Sequence, residues 1–239
     1  MLTKTEGIVL GTFSYSDTYS ITHVYTRDFG TVAYLLPKPR SRRSKVRPSL
    51  FFPLSLLRLE VEHLPLRDVQ RMKEVERLVP LYSLCTDMIK ASIAFFLAEF
   101  LLSVLRESDR NEATYDYIRH SIELLEVTEK GVANFHLAFM IGLTKHMGIH
   151  PNVEGNEGAP YFDLLSGEFV RQSPLHSHYL KPGEGRYLRQ LERMTFRNMH
   201  LYRLSRVDRN LIVDYFLKYY RLHLYDFPRL KSLEVLREL

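Results

Sequence analysis

The sequence predicts an α+β protein, with a small β-barrel in residues 1–79 and an all-α region in residues 80–239. Three observations predict it. Short strand-like segments punctuated by Gly, Ser, Asp and Pro run as far as Pro80, helical periodicity takes over beyond it, and a loop of six cations sits between two of the strands.

The strand-like segments are "EGIVLGTFSY", "SITHVYTRDFG", "TVAYLLP" and "SLFFPLSLLRLEVE", each rich in β-branched and aromatic residues. Four or five strands at intervals of about a dozen residues suggest a barrel rather than an open sheet. Asp28 and Gly30 suit the turn of a hairpin between the second and third segments. The stretch "LRDVQRMKEVERLVP" leaves the β pattern, and Pro80 marks the junction.

Beyond it, Ile118, Ile122 and Leu125 fall at i, i+4 and i+7 and share one helix face. "VANFHLAFMIGLTKHMG" is apolar nearly all round, which predicts a central buried helix ending near Gly148, with Pro151 beyond it. Residues 151–185 are rich in Gly and Pro and read as an inserted irregular loop, with "YFDLLSGEFV" as a short hairpin turning at Gly167. Helices resume with "RYLRQLERMTFRN" and with "SRVDRNLIVDYFLKYYRLHL", where Ser205 and Asp208 form a capping signature, and a last helix starts near Arg229.

A length of 239 residues with 45% hydrophobic content is enough for a sizeable core. The longest apolar run, Met88 to Leu105, is interrupted by Lys90, Ser92, Glu99 and Ser103, so it reads as a buried helix and no membrane span is expected. The N-terminus lacks a signal-peptide pattern, which places the protein in the cytoplasm. Cys85 is the single cysteine, so neither an intrachain disulfide nor a thiolate zinc site can form. Phosphate-loop, dinucleotide-binding, nucleophile-elbow and zincin signatures are all missing, which argues against an enzyme, and no cofactor is expected. His146, His150, His176 and His178 flank the irregular loop, but without cysteines and with Gly148 ending the helix they do not make a convincing metal site.

The net charge of +5 is unevenly spread. Residues 1–80 hold 13 Lys and Arg against 8 acids, residues 81–180 hold 7 against 13, and residues 181–239 hold 13 against 7. Basic, acidic, basic is a pattern that points to a polyanionic partner. The strongest local signal is "PKPRSRRSKVR", where Lys38, Arg40, Arg42, Arg43, Lys45 and Arg47 stand with no acid among them. Ser41, Ser44 and Ser49 add donors, and Tyr34 and Phe51 flank the loop as stacking surfaces. A cationic loop on a small barrel can follow a phosphate backbone while aromatic faces take the bases. Six such contacts to a single strand would give a salt slope on the order of −4. A second basic patch is expected on one helix, where Arg186, Arg189, Arg193 and Arg197 form an outward stripe continued by Arg203, Arg206 and Arg209.

These motifs together resemble the RecO family of bacterial recombination mediators. The resemblance rests on "EGIVLGTFSYSDTYSITHVYTRDFGTVAYLLPKPRSRRSK", on "FHLAFMIGLTKHMGIHPN", and on "LYRLSRVDRNLIVDYFLKYYRLHLYDFPRLKSLEVL", in that order along nearly the whole chain. It implies an N-terminal five-stranded OB-fold barrel followed by an all-α helical domain carrying an inserted irregular loop or hairpin. It further implies a DNA-repair protein of the RecFOR pathway, nucleoid-associated, that binds single- and double-stranded DNA and anneals complementary strands. Its implied partners are RecR, the acidic C-terminal tail of single-strand binding protein and, indirectly, RecA. Many members carry a four-cysteine zinc module where this chain has "NVEGNEGAPYFDLLSGEFV", so the hairpin here is expected without zinc and held by Tyr161, Phe162 and Phe169. His176 and His178 lie where the second cysteine pair would fall. The residues alone leave two alternatives open: an RNA-binding barrel protein, and a protein–protein scaffold docking through its acidic middle.

Overall fold

The protein is described by a computed structural model covering residues 2–38, 47–64, 66–106, 108–154 and 158–239. Strands β1 (Leu2–Ser14), β2 (Tyr19–Thr26), β3 (Gly30–Pro37), β4 (Leu56–Glu62) and β5 (Val69–Arg77) close into a barrel in the order β1-β2-β3-β5-β4. Only the β3–β5 pairing is parallel. This is an OB-type Greek-key barrel. Helices α1 (Tyr82–Thr86), α2 (Met88–Val104), α3 (Glu112–Val127) and α4 (Phe135–His146) follow. After them come strands β6 (Tyr161–Asp163), β7 (Glu168–Val170) and β8 (Tyr179–Leu180), then helices α5 (Arg186–Glu192), α6 (Arg206–His223) and α7 (Leu233–Leu236). The chain divides into two compact units: Met1–Val127 with Leu230–Leu236, and Thr128–Arg229 with Arg237–Leu239.

Alternation along the strands turns Val9, Val24, Val32, Tyr34, Leu36, Leu57, Leu59 and Val61 into the barrel, where Phe51 joins them. The fifth strand lies in the stretch whose pattern reads as departing from β. β5 is mostly charged, with Arg71, Lys73, Glu74, Glu76 and Arg77 in nine residues and without clean alternation, and Met72 and Val75 pack on the barrel core. What makes it a strand is pairing with β4 and β3, a tertiary cause that local pattern does not carry.

The rest of the first unit is fastened by caps. The Asp87 carboxylate starts α2 by accepting from the amides of Ile89 (2.8 Å) and Lys90 (3.0 Å). Buried Lys90 donates from Nζ to the Glu126 carbonyl at 2.6 Å, near the end of α3, while the Glu126 carboxylate accepts from the amides of Ser83 and Leu84 at the start of α1. The last helix, α7, begins later than Arg229. Glu99 fixes its start by accepting from the amides of Lys231 (3.0 Å) and Ser232 (2.7 Å).

In the second unit α4 is buried on nearly every side, and it ends ahead of Gly148, whose φ is +68°. The insertion forms a three-stranded sheet, β7-β6-β8, over a core of Phe162, Leu164, Phe169, Leu180, Leu188 and Tyr219. Gly167 turns the β6–β7 hairpin at φ +71°, and a Cβ there would lie 2.7 Å from Oη of Tyr219, which itself donates to the Ile149 carbonyl. A zinc ion does not fit this hairpin, since no thiolate is present and aromatic rings fill its interior. His176 faces the Asp163 carboxylate at 3.4 Å and accepts the His178 amide at Nδ1. Among the described residues no group of three His, Cys, Asp or Glu is placed to hold a metal ion.

Candidate nucleic-acid interface

Strand register places the outward side chains of the barrel in rows. Phe13 pairs with Ile21, Ile21 with Leu35, and Leu35 with Arg71, so one row crosses four strands from β1 to β5. The next row runs Gly11, His23, Ala33 and Val69. On the other side, Tyr19 pairs with Pro37. Phe13, Tyr15 and Tyr19 are 52%, 69% and 41% exposed, large for aromatic rings, and they crowd the β1–β2 turn. That turn is organised by Ser16, whose hydroxyl accepts from the amides of Thr18 and Tyr19.

Lys38, the first cation of the basic loop, is tied to the same turn. Its amide donates to the Thr18 carbonyl and its Nζ donates to Oγ of Ser14, both at 2.8 Å. The loop therefore leaves the barrel beside the exposed rings. At the far end of the row Arg71 is exposed and has no ion pair among the described residues, whereas Arg58 is paired with Glu76 at 2.9 Å. A shallow cleft of about 490 Å³ on the β4–β5 face is lined by Lys4, Arg58 and Lys73 together with Glu60, Glu74 and Glu76, so opposed charges leave it without a preference for anions.

The chain itself covers the rest of the β2–β3 face. Thr31 donates from its amide to the Ser108 carbonyl and from Oγ1 to the Leu105 carbonyl, and Tyr25 donates to the Asn111 carbonyl. Arg27 is paired with Glu112 and Asp116. At Gly30, φ +66°, any Cβ would meet the Ser108 carbonyl oxygen. The open strip is thus confined to the end of the barrel where the basic loop emerges. His23 lies on its floor against the edge of Phe13, and burial, with Arg106 nearby, holds its imidazole below the ordinary range and hence neutral at pH 7.

The sequence-predicted residues fall out unevenly. Lys38 is placed at the strip, and Arg47 is exposed at the loop's return. Arg40, Arg42, Arg43 and Lys45, with Ser41 and Ser44, lie outside the described residues. Tyr34 is not a stacking surface: period-2 alternation turns it inward, it is 0% exposed, and Phe51 is buried with it. The arginine stripe does not form on one helix either. α5 ends at Glu192 because the Asn198 side chain donates to the Arg193 carbonyl and accepts the Thr195 amide, closing the chain into turns. Arg189 is committed inside the fold, with its guanidinium 3.8 Å from the Phe169 ring centroid and a hydrogen bond to the Val153 carbonyl. Arg193, Arg197 and Arg203 are exposed in the segment between α5 and α6, and Arg206 lies 3.6 Å from Glu238. Phe13, Tyr15, Tyr19 and Arg71 were not singled out from sequence. The signal for the rings is present in "GTFSYSDTYS", where aromatics alternate with small polar residues around a turn.

The chain matches the family described as Recombination protein O N terminal over residues 1–81 and the one described as Recombination protein O C terminal over residues 85–234. The chain belongs to the RecO family. The DNA repair protein RecO of Phocaeicola vulgatus is 44% identical over 239 residues, covering 100% of this chain and 99% of that one. The RecO of Bacteroides fragilis is 41% identical and that of Flavobacterium psychrophilum 30% identical, each again over 100% of this chain and 99% of the relative. RecO-family membership makes this a DNA repair and recombination protein, and the aromatic strip and the root of the basic loop stand on its OB-type barrel. No helix among the described residues is long and apolar enough to cross a membrane.

Proposed function

We propose that this RecO-family protein is a non-enzymatic recombination mediator that binds single-stranded DNA across the open strip. Bases stack on Phe13, Tyr15 and Tyr19, and the backbone follows Lys38, the basic loop and Arg71. Unpaired bases are required, because rings can lie against exposed side chains only when they are not stacked within a duplex. The exposed Arg193, Arg197 and Arg203 engage a second strand or a duplex, and neutralising both backbones lowers the repulsion that opposes pairing. Annealing is downhill, so no nucleotide hydrolysis is needed. In this reading the protein works with RecR and the acidic C-terminal tail of single-strand binding protein to load RecA, as the family resemblance implies.

The observation that carries the reading is the row Phe13–Ile21–Leu35–Arg71, which starts at the β1–β2 turn that also anchors the root of a loop with six cations and no acid. It is tested by single-strand binding and annealing against salt, for the wild type and for the variant with Arg40, Arg42, Arg43 and Lys45 all changed to Glu. The salt slope should become shallower by about 3, from roughly 0.7 per lost contact. Equal slopes and equal annealing would overturn it, and preference for an RNA competitor would turn the reading toward RNA.

A further inference from the structure

The exposed apolar surface around Phe13 does not end with the barrel. Gly11 stands between Phe13 and the last turn of α2: a Cβ there would lie 3.1 Å from the Phe13 ring and 3.7 Å from Cδ2 of Leu102. The missing side chain lets α2 settle on β1 with Leu102 next to Phe13. Seven residues back along the same helix face is Phe95, 49% exposed, whose ring meets Phe52 edge-on with centroids 5.4 Å apart. Phe52 directly follows the 3-10 turn Pro48–Phe51, where the basic loop rejoins the barrel: Phe51 enters the core, and the Leu54 amide donates to the Val9 carbonyl. Phe13, Leu102, Phe95 and Phe52 therefore run from one root of the basic loop to the other, with Lys38 anchored at the first and exposed Arg47 close in sequence to the second.

A half-exposed phenylalanine standing alone on a helix is ordinary. Phe95 has a second ring against it, and it sits between buried Ala94 and Phe96 in the middle of α2, not at a frayed end. Glu99, the acid on this side of the helix, has its carboxylate engaged by the amides of Lys231 and Ser232 and by the Ser232 hydroxyl.

We infer that Phe95 and Phe52 form a second base-stacking platform, which carries single-stranded DNA off the barrel and onto α2. The inference rests on the strip being the single-strand path, and it adds where that path goes beyond Phe13. Single-stranded DNA suits the row better than an apolar protein segment, because the row is continuous with the strip and a cation stands at each end for the backbone. Stacking is tolerant of sequence, so the platform lengthens the footprint without adding a base preference.

The test is length dependence, read by fluorescence anisotropy on the full chain with oligothymidines of about 6 and about 16 nucleotides, toward the two ends of the site sizes of one such barrel. Phe95→Ser should bind the longer oligonucleotide at least about fivefold more weakly than the wild type, and the shorter one within about twofold. Phe95→Tyr, which keeps the ring, should recover most of the lost affinity. Phe52→Ser, which leaves α2 untouched, should repeat the length-selective loss and stands in for Phe95→Ser should that variant not fold. Undiminished binding of the longer oligonucleotide overturns the platform and leaves this face to a protein partner. An equal loss at both lengths, or a loss in Phe95→Tyr as large as in Phe95→Ser, also overturns it. Tyr19→Ala tells this apart from the strip: if it weakens neither length, the strip reading itself fails, whereas a loss in Tyr19→Ala with none in Phe95→Ser removes the platform alone.

Discussion

Tyr34 and Tyr19 stand on adjoining strands of one barrel and face opposite ways. Tyr34 is sealed in the core, its hydroxyl has no hydrogen-bond partner among the described residues, and burial pushes its phenol pKa up. Tyr19 is 41% exposed beside Lys38's anchoring turn. Tyr34→Phe removes a buried, unsatisfied hydroxyl and should leave DNA binding unchanged while holding or raising stability by up to about 1 kcal/mol. Tyr19→Ala removes a stacking face and should weaken single-strand binding by about 1–3 kcal/mol, roughly 5- to 150-fold, with stability nearly unchanged. Fluorescence anisotropy with oligothymidine, paired with urea denaturation, checks both. Weaker binding by Tyr34→Phe than by Tyr19→Ala would refute the outward-row assignment. Residue type alone could not separate the two tyrosines; counting outward and inward positions from the β2–β3 register does.

At the scale of elements, a helix read as buried all round carries a consequence for pH. His136 lies in α4 and is 2% exposed, and burial, reinforced by Arg209, pulls its pKa down to about 3. The unfolded chain takes up this proton near the usual 6.5, whereas the folded chain does not until about 3, so the unfolded state binds more protons across that interval. The stability His136 permits is fully present above pH 6.5 and falls, by at most about 1.4 kcal/mol per pH unit, as the pH drops toward 3. His136→Gln should flatten this part of the profile in denaturation experiments between pH 7 and 4.5, and an unchanged difference between pH 7 and 4.5 would rule the assignment out. The amphipathic face of α3, the buried α4, the Gly167 hairpin and the Ser205–Asp208 capping box were all legible, because each is decided by neighbours a few residues away. The β5 strand and the early end of α5 were not. One depends on partner strands distant in sequence, and the other on a single Asn198 side chain competing for helix carbonyls.

For the whole molecule, the charge pattern along the sequence separates two basic surfaces that fall in different compact units. The strip and Lys38 belong to the first unit, and Arg193, Arg197 and Arg203 to the second. The count by thirds made a second surface legible, but its shape was misread as one helical stripe, since charge totals carry no information about where a helix stops. The division gives annealing and single-strand binding separate handles. Changing Arg193, Arg197 and Arg203 to Glu touches no ion pair among the described residues and leaves the barrel intact. Oligothymidine affinity should then stay within about threefold, while the annealing rate at low salt falls by at least tenfold, on the order of 1.4 kcal/mol in the barrier. Raising salt should narrow the gap between variant and wild type, because the lost attraction is screened within a Debye length of about 10 Å at 0.1 M. Should this variant lose single-strand affinity in proportion to annealing, both arginine surfaces would serve one strand, and a second-strand role for the segment between α5 and α6 would be wrong.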